Sequence, residues 1–159
     1  PATVALAIPL YEQLLLLKRN LTAILVGIAS GVICSGVSIF AMALFFGLNH
    51  TQYVTLLPKS ITTAIGIGPS AELDGHVAIT VSAIIFTGLI GNIAGDLLCR
   101  ILHIKHPIAK GIAIGTATHV MGTSKAMEVG EIEGAMSSLS VAVAGIMTVG
   151  ASIIFQWWI

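Results

Sequence analysis

Charged residues and cysteines are what this sequence has least of. Only 9% of its 159 residues are charged, and seven basic side chains balance seven acidic ones. Charged residues make up about a quarter of an ordinary globular domain, so the composition argues against a water-soluble domain. Zero net charge also provides no basic field for a nucleic acid, and we expect none as a partner.

The chemistry-bearing side chains are equally sparse. The two cysteines, Cys34 and Cys99, lie singly in or beside apolar segments, a pattern that predicts neither a disulfide framework nor a metal site. His103 and His106 have too few neighbouring ligands to hold a metal ion. No nucleophile lies beside a candidate base. We therefore predict no metal, no cofactor and no catalytic residues, and a protein that is not an enzyme.

Long apolar runs are what the sequence does contain. They predict membrane spans at about residues 21–47, 75–97 and 134–157. Each is long enough, since a span needs roughly 20 apolar residues, and none has the polar face of a soluble helix. The expected fold class is an all-α polytopic membrane protein with a single transmembrane domain over residues 1–159.

Two polar segments, residues 58–69 and 107–133, interrupt the apolar sequence with proline, glycine and hydroxyl side chains. Pro58 cannot continue a helix, and Ser60 is a candidate N-cap. Gly122 is the expected break in the later segment, and Pro9 is expected to break the chain near its start. Irregular backbone at membrane depth must be buried in protein or reached by water, so we predict broken or re-entrant segments here.

The basic residues suggest an orientation. They flank the first span and follow the second, and the positive-inside rule places both groups in the cytoplasm. Residues 58–69 would then dip in from the outer face and residues 107–133 from the cytoplasmic face, the inverted arrangement of secondary transporters. Alternatively, residues 48–69 cross as a broken helix and put the second group outside. The basic residues concerned are Lys18, Arg19, Arg100, Lys105 and Lys110.

Broken helices aim unpaired N–H groups and a partial positive charge at one point. Such a point suits a small anion, above all a carboxylate. His119 could supply a proton, since histidine titrates near neutral pH, or could be a neutral side chain bonded to a neighbouring helix; both alternatives stay open. The candidate substrate-binding residues are Ser60, Thr62, Thr63, Thr116, Thr118, His119, Thr123 and Ser124.

Three further residues are candidates for charge coupling. Lys125 could neutralise substrate charge or pair with Glu128, three residues further along a helix. Asn92 lies in an apolar span and is expected to be buried. If transport is coupled to an ion, the expected ion is a proton.

Three stretches of the chain resemble the LrgB/CidB family: PATVALAIPLY, LLPKSITTAIGI and KGIAIGTATHVMGTSKAMEVGEIEGAMSSL. The resemblance covers essentially the whole chain in the right order. It implies a holin-like or antiholin-like protein of the bacterial cytoplasmic membrane that affects murein hydrolase activity and lysis. It also implies a small membrane protein of the LrgA/CidA type as partner. Family members usually carry additional spans before the first of these stretches, so we expect this chain to lack N-terminal spans.

The family is also similar to the C-terminal half of the plastid glycolate/glycerate carrier, and related bacterial pairs are linked to pyruvate uptake. Our first expectation is therefore a membrane carrier for small monocarboxylates such as pyruvate, glycolate or glycerate, because the broken helices are polar. The alternative is a holin- or antiholin-like regulator of murein hydrolase activity and lysis. Besides the small membrane protein, the expected partners are the lipid bilayer, a small organic anion and further copies of the chain.

Overall fold

The computed structural model describes residue 8 and residues 11–158, and within them all regular structure is helical. The all-α prediction is therefore confirmed; Pro9 lies outside the described residues. Short 3-10 turns occur at Leu57–Ser60 and Gln156–Trp158. The α-helices are α1 Leu14–Arg19, α2 Leu21–Phe46, α3 His50–Leu56, α4 Thr63–Glu72, α5 Val77–Ile101, α6 Pro107–Val129 and α7 Glu131–Phe155.

Three of these helices, α2, α5 and α7, are long and apolar enough to cross a membrane. The protein is thus an all-helical membrane protein. α5 extends to Ile101, past the expected end at residue 97. Arg100 and Lys110 both pair with the Asp96 carboxylate, so that this charged side chain is accommodated within the helix. α7 begins at Glu131 rather than residue 134, since acidic side chains stabilise the first turn of a helix.

Helix α6 is a hairpin whose chain reverses at His119. This residue has φ 45° and ψ −144°, which interrupts the helix. A Cβ built on Gly122 would lie 3.1 Å from Cγ2 of Ile114, whereas eight residues of a continuous helix span about 12 Å. Ala126 also packs in one cluster with Ile114 and Cys99. Residues 107–118 therefore enter and residues 120–129 return; we call 107–129 the second hairpin.

Helices α3 and α4 form a similar structure, which we call the first hairpin (residues 50–72). Thr55 Oγ1 accepts a hydrogen bond from the backbone N–H of His76 at 2.8 Å, and Thr80 Oγ1 donates to the Thr55 carbonyl at 2.8 Å. The Ser70 and Thr80 hydroxyl oxygens are 2.6 Å apart. Both limbs of the hairpin therefore lie beside the beginning of α5.

The two hairpins enter from opposite ends of the spans. The second hairpin starts beside the end of α5, where Lys110 pairs with Asp96, and beside the beginning of α7. The first hairpin starts beside the end of α7, where the Tyr53 hydroxyl donates to the Phe155 carbonyl at 3.0 Å. Because the ends of a crossing helix lie on opposite faces, the hairpins approach each other as inverted repeats do.

Both tips reach the interior of the helix bundle. The first tip places Ser60 Oγ 3.0 Å from Ser35 Oγ, in the middle turns of α2. The second tip places His119 Nε2 3.0 Å from the Ile84 carbonyl oxygen, inside α5. Polar atoms at both tips therefore have partners on neighbouring spans.

Contacts along α2 show which basic residues share a face. Gly27 of α2 packs beside Ile112, and Gly31 packs beside Thr116; each pair lies four residues further along both helices than the one before. Helix α2 and the entering limb of the second hairpin therefore run in the same direction and start at the same face. Five basic residues lie at or next to this end of the bundle, which we call the basic face: Lys18, Arg19, Arg100, Lys105 and Lys110.

Glycines allow the second hairpin to pack backbone to backbone against α7. A Cβ built on Gly111 would lie 2.5 Å from the Glu133 carbonyl oxygen, and one built on Gly115 would overlap the Ser137 carbonyl oxygen. Gly91 of α5 likewise accommodates the Thr118 side chain on the other side of the limb. Small residues at helix contacts are what membrane bundles use for close approach.

Candidate functional site

A groove of about 730 Å³ runs between α2 and the entering limb of the second hairpin. Its α2 wall consists of small residues that recur at helical spacing, so that they share one face. Ile112, Thr116 and Ala117 form part of the opposite wall. One end reaches Asn20 and His106 at the basic face, and the tip of the first hairpin closes the inner end. The residues of the α2 wall are Ala23, Gly27, Ser30, Gly31, Cys34, Ser35 and Ser38.

Polar groups collect at the inner end of the groove. Lys59 Nζ donates to Ser60 Oγ at 3.2 Å, and Ser60 Oγ is 3.0 Å from Ser35 Oγ. Thr116 is 7% exposed, and its Oγ1 has no hydrogen-bond partner among the described residues. Cys34 is exposed beside them. We call Cys34, Ser35, Lys59, Ser60 and Thr116 the polar pocket.

The polar pocket carries a positive charge that no acidic side chain balances. Lys59 is half-buried at the first tip, and within the part of the chain that the structure describes no carboxylate lies at ion-pair distance from it. The helix ends add little to this positive charge. The 3-10 turn ends at Ser60, just before α4 begins at Thr63, so the partial negative charge of the first offsets the partial positive charge of the second. A charged side chain at such depth is costly in a bilayer and commonly marks a functional site.

Two of the eight residues predicted to bind substrate, Ser60 and Thr116, line this groove. Thr62 and Thr63 lie at the first tip, half-buried and outside the groove lining. Ser60 does not cap the following helix: it belongs to the 3-10 turn, and Thr62 occupies the N-cap position. The extended backbone of Ile61 and Thr62 delays the helix by two residues.

The remaining hydroxyls of the predicted site are bonded within the second hairpin. Thr118 Oγ1 donates to the Ile114 carbonyl at 2.6 Å, and Ser124 Oγ donates to the Met121 carbonyl at 2.7 Å. Thr123 Oγ1 donates to the His119 carbonyl at 2.9 Å and lies 2.8 Å from Ser137 Oγ on α7. Side chains that bond to their own helix in this way satisfy the backbone near a break.

His119 adopts one of the two arrangements that the sequence left open. Its buried ring places Nε2 3.0 Å from the Ile84 carbonyl oxygen. A carbonyl only accepts, so Nε2 carries the hydrogen of this bond. His119 thereby joins the second tip to α5, and it does not line the groove.

The break predicted at Gly122 is wrong by three residues. Gly122 is helical, and the interruption falls on His119. Position 122 requires a glycine for a different reason, because a Cβ there would overlap the Thr118 hydroxyl on the opposing limb. The glycine thus permits the two limbs to pack together just past the turn.

The three residues predicted to couple charge lie away from the groove. Lys125 Nζ is 2.6 Å from Glu128 Oε2 in an exposed ion pair, the arrangement expected for residues three apart on a helix. Asn92 is half-buried on α5. Within residues 8 and 11–158, no three His, Cys, Asp or Glu side chains are grouped as a metal ion would require.

Sequence reasoning missed Lys59, Ser35 and Cys34. Two signals were available: a lysine directly after a proline between apolar runs, and small residues spaced three and four apart along the first span. Neither signal alone says that the two elements meet.

Three spans with two opposed hairpins around a polar groove define a polytopic membrane protein built on re-entrant segments. The chain belongs to the LrgB-like family, whose family model matches residues 1–158. It is similar to the antiholin-like protein LrgB of Bacillus cereus strain B4264, with 44% identity over 149 residues, 94% of this chain and 65% of the relative. The same figures hold for the antiholin-like protein LrgB of Bacillus anthracis strain A0248. The chain thus spans 65% of the length of these relatives. No solved structure matches it.

Proposed function

We propose that this chain is part of an antiholin-like membrane protein that restrains murein hydrolase activity and lysis in bacteria. The observation that carries the proposal is 44% identity, over 94% of the chain, to relatives named antiholin-like protein LrgB. Its site of action is the bacterial cytoplasmic membrane. Its partner is a small membrane protein of the LrgA/CidA type, and further copies of the chain are a second kind of partner.

The bonding of the hairpin tips suits a restraining role. Both hairpin tips are bonded to neighbouring spans, Ser60 to Ser35 on α2 and His119 to Ile84 on α5. Hairpins held against their neighbours suit a protein that opposes lysis, because such a protein must not open a pore of its own.

Expression in bacteria that lack their own LrgB-type protein tests this role. The full-length protein that contains this chain should slow autolysis after detergent challenge and weaken murein hydrolase bands in a zymogram. Cells that carry the empty vector are the control. Unchanged autolysis in cells that contain the protein in their membrane would contradict the proposal.

The polar pocket favours a second candidate function, a carrier for small monocarboxylates such as pyruvate, glycolate or glycerate. Lys59 offers an anion one full positive charge between two hairpins that approach from opposite faces. Hydroxyl bonds of about 1 kcal/mol each would add weak, reversible binding, as a carrier needs in order to release its cargo. A proton is the coupling ion in this proposal.

Reconstitution into liposomes separates the two candidates. Saturable uptake of radiolabelled pyruvate, competed by unlabelled glycolate, supports the carrier. Absence of such uptake from liposomes that hold folded protein contradicts the carrier and leaves the antiholin-like role. Leakage of an entrapped dye would contradict both, because it reveals a non-selective pore.

A further inference from the structure

We propose that the polar pocket is a binding site for one small monocarboxylate, whose carboxylate pairs with the Lys59 ammonium. The inference deepens the carrier candidate and rests on it for the choice of ligand. Binding itself requires only the groove and its side chains. Four observations support this assignment: the donors of Lys59, the orphaned hydroxyl of Thr116, the dimensions of the groove and its charge.

The ammonium of Lys59 has donors to spare. It carries three N–H donors, and its one hydrogen bond among the described residues goes to Ser60 Oγ. The Ser60 hydroxyl is also within hydrogen-bond distance of Ser35. The hydroxyls thus orient the ammonium without neutralising it, and an anion in the groove would receive its remaining donors.

Thr116 supplies a second, independent indication of a ligand. Its side chain is buried, lines the groove and leaves Oγ1 without a partner among the described residues. Its methyl group packs against Gly31, where an added Cβ would lie 2.6 Å from Thr116 Cγ2. Buried hydroxyls are normally hydrogen-bonded; this oxygen is covered by protein, so we expect the Thr116 side chain to rotate and turn its hydroxyl toward a ligand oxygen in the polar pocket.

The shape of the groove fits a small molecule that arrives from the basic face. Its volume of about 730 Å³ lies within the range of small-molecule sites, roughly 300–1,000 Å³. A three-carbon acid would fill only the inner end, beside Lys59. The outer part of the groove is mostly apolar and ends at Asn20 and His106. This part forms a path between the polar pocket and the basic face.

The charge of the polar pocket selects for one carboxylate. Lys59 is the one Lys or Arg among the described residues that line the groove, so a monocarboxylate leaves the occupied site neutral. A dicarboxylate would bring a second negative charge that no cation there can balance, and burying an unpaired charge is strongly unfavourable. We therefore expect pyruvate to bind and succinate to bind far more weakly.

Cys34 provides a native probe of this site. Replacing the buried Cys99 by alanine leaves Cys34 as the single thiol of this sequence, and it lies within the polar pocket. In nanodiscs, N-ethylmaleimide should alkylate Cys34, and pyruvate should slow the alkylation in a saturable manner. Succinate at equal concentration should protect at least tenfold less well.

Three variants assign the protection to particular side chains. Lys59→Gln should raise the pyruvate concentration needed for half-protection at least tenfold, while Lys59→Arg should keep most of the protection. Thr116→Val should raise that concentration several-fold, since it removes only the hydroxyl. Lys105→Gln, in an exposed basic connection, is the matched control and should behave as the parent chain. Size-exclusion profiles identify any variant that fails to fold.

Several results would overturn the inference. Protection that is unchanged in folded Lys59→Gln excludes Lys59 as the ligand-binding charge, and lack of protection in the parent chain excludes pyruvate from the site. A Cys34 that never reacts shows that water does not fill the polar pocket. Liposome uptake distinguishes this inference from the carrier function. Protection of Cys34 without pyruvate uptake supports the binding site and contradicts the carrier. Saturable uptake that Lys59→Gln does not change supports the carrier and contradicts the binding site.

Discussion

The two hairpins have the same shape but differ in how they turn. The first spreads its reversal over a 3-10 turn, Leu57–Ser60, and two extended residues. The second reverses at a single residue, His119, whose φ is positive and whose ring is bonded to α5. The broader turn leaves room for Lys59 to face the groove, while the tighter turn holds its polar atoms inside protein. A shared architecture thus supports a charged tip in one hairpin and a fixed tip in the other.

The hairpins also differ in how closely they are held. Backbone contacts at Gly111 and Gly115 fix the second hairpin against α7. The returning limb of the first hairpin contacts α5 through a side chain, since a Cβ added at Gly66 would lie 2.7 Å from Ile84 Cδ1. The first hairpin is held instead by side chains such as Tyr53. Backbone contacts therefore hold the second hairpin, and side-chain contacts hold the first.

The largest expected effect concerns the faces from which the hairpins enter. In a Cys34→Ala, Cys99→Ala background, Glu72→Cys at the end of the first hairpin should react with an impermeant maleimide in intact cells. Lys105→Cys beside the second hairpin should react only after permeabilisation, because positive loops stay in the cytoplasm. Equal labelling of both positions in intact cells would contradict the prediction that the hairpins enter from opposite faces of the membrane.

A pair of glycine substitutions measures the difference in packing. Gly115→Ala should lower the free energy of unfolding by about 1–3 kcal/mol, since the new methyl group meets the Ser137 backbone. Gly66→Ala in the first hairpin should cost less than Gly115→Ala, because the new methyl group meets Ile84 Cδ1, the end of a side chain that can shift, and alanine favours the helix. Detergent-titrated unfolding followed by circular dichroism gives both values, and equal losses would contradict the distinction.

The backbone at the second tip can be tested at one position. His119→Ala and His119→Gly both remove the bond to Ile84, but only glycine adopts a positive φ without strain. The glycine variant should therefore be more stable than the alanine variant by about 1–3 kcal/mol. The same unfolding titration measures this difference. An alanine variant as stable as the glycine variant would show that the turn is not strained.

The smallest expected effect concerns the side chain that holds the first hairpin. Tyr53→Phe removes the hydrogen bond to the Phe155 carbonyl and should cost about 0.5–1.5 kcal/mol of unfolding free energy. Tyr11→Phe is the matched control, because Tyr11 is 78% exposed. If both variants lose the same amount of unfolding free energy, the effect comes from removing any tyrosine hydroxyl and not from losing the bond to Phe155.

The sequence predicted the three spans well because an apolar run of sufficient length has few alternatives. It could not place the ends of α5 and α7 to the residue, since these depend on the pairing of Asp96 and on acidic residues in a first turn. Proline, glycine and hydroxyl clusters indicated the two polar segments, and the placement of the basic residues favoured opposed entry over a crossing helix. The side of the membrane on which the basic face lies stays a prediction.

The candidate site was harder to predict because it depends on which elements meet. Hydroxyl content pointed equally to Thr116, which faces the groove, and to Thr118, which bonds its own helix. The break was predicted at Gly122 from the cluster of glycine and hydroxyl side chains around it, yet in the fold this glycine lets the two limbs pack together and the chain reverses at His119. Lys59 became a candidate only when α2 and the first tip were seen together.

The bonding of the second hairpin has a consequence for how the protein is made. Its segment is not among the helices apolar enough to cross a membrane alone, and its polar tip finds partners on α5 and on α7. Polar backbone and hydroxyl groups need such partners before they enter lipid. Because α7 follows this segment in the chain, its partners are complete only once α7 has been synthesised. We therefore expect the second hairpin to insert late, after the helix that follows it in the sequence.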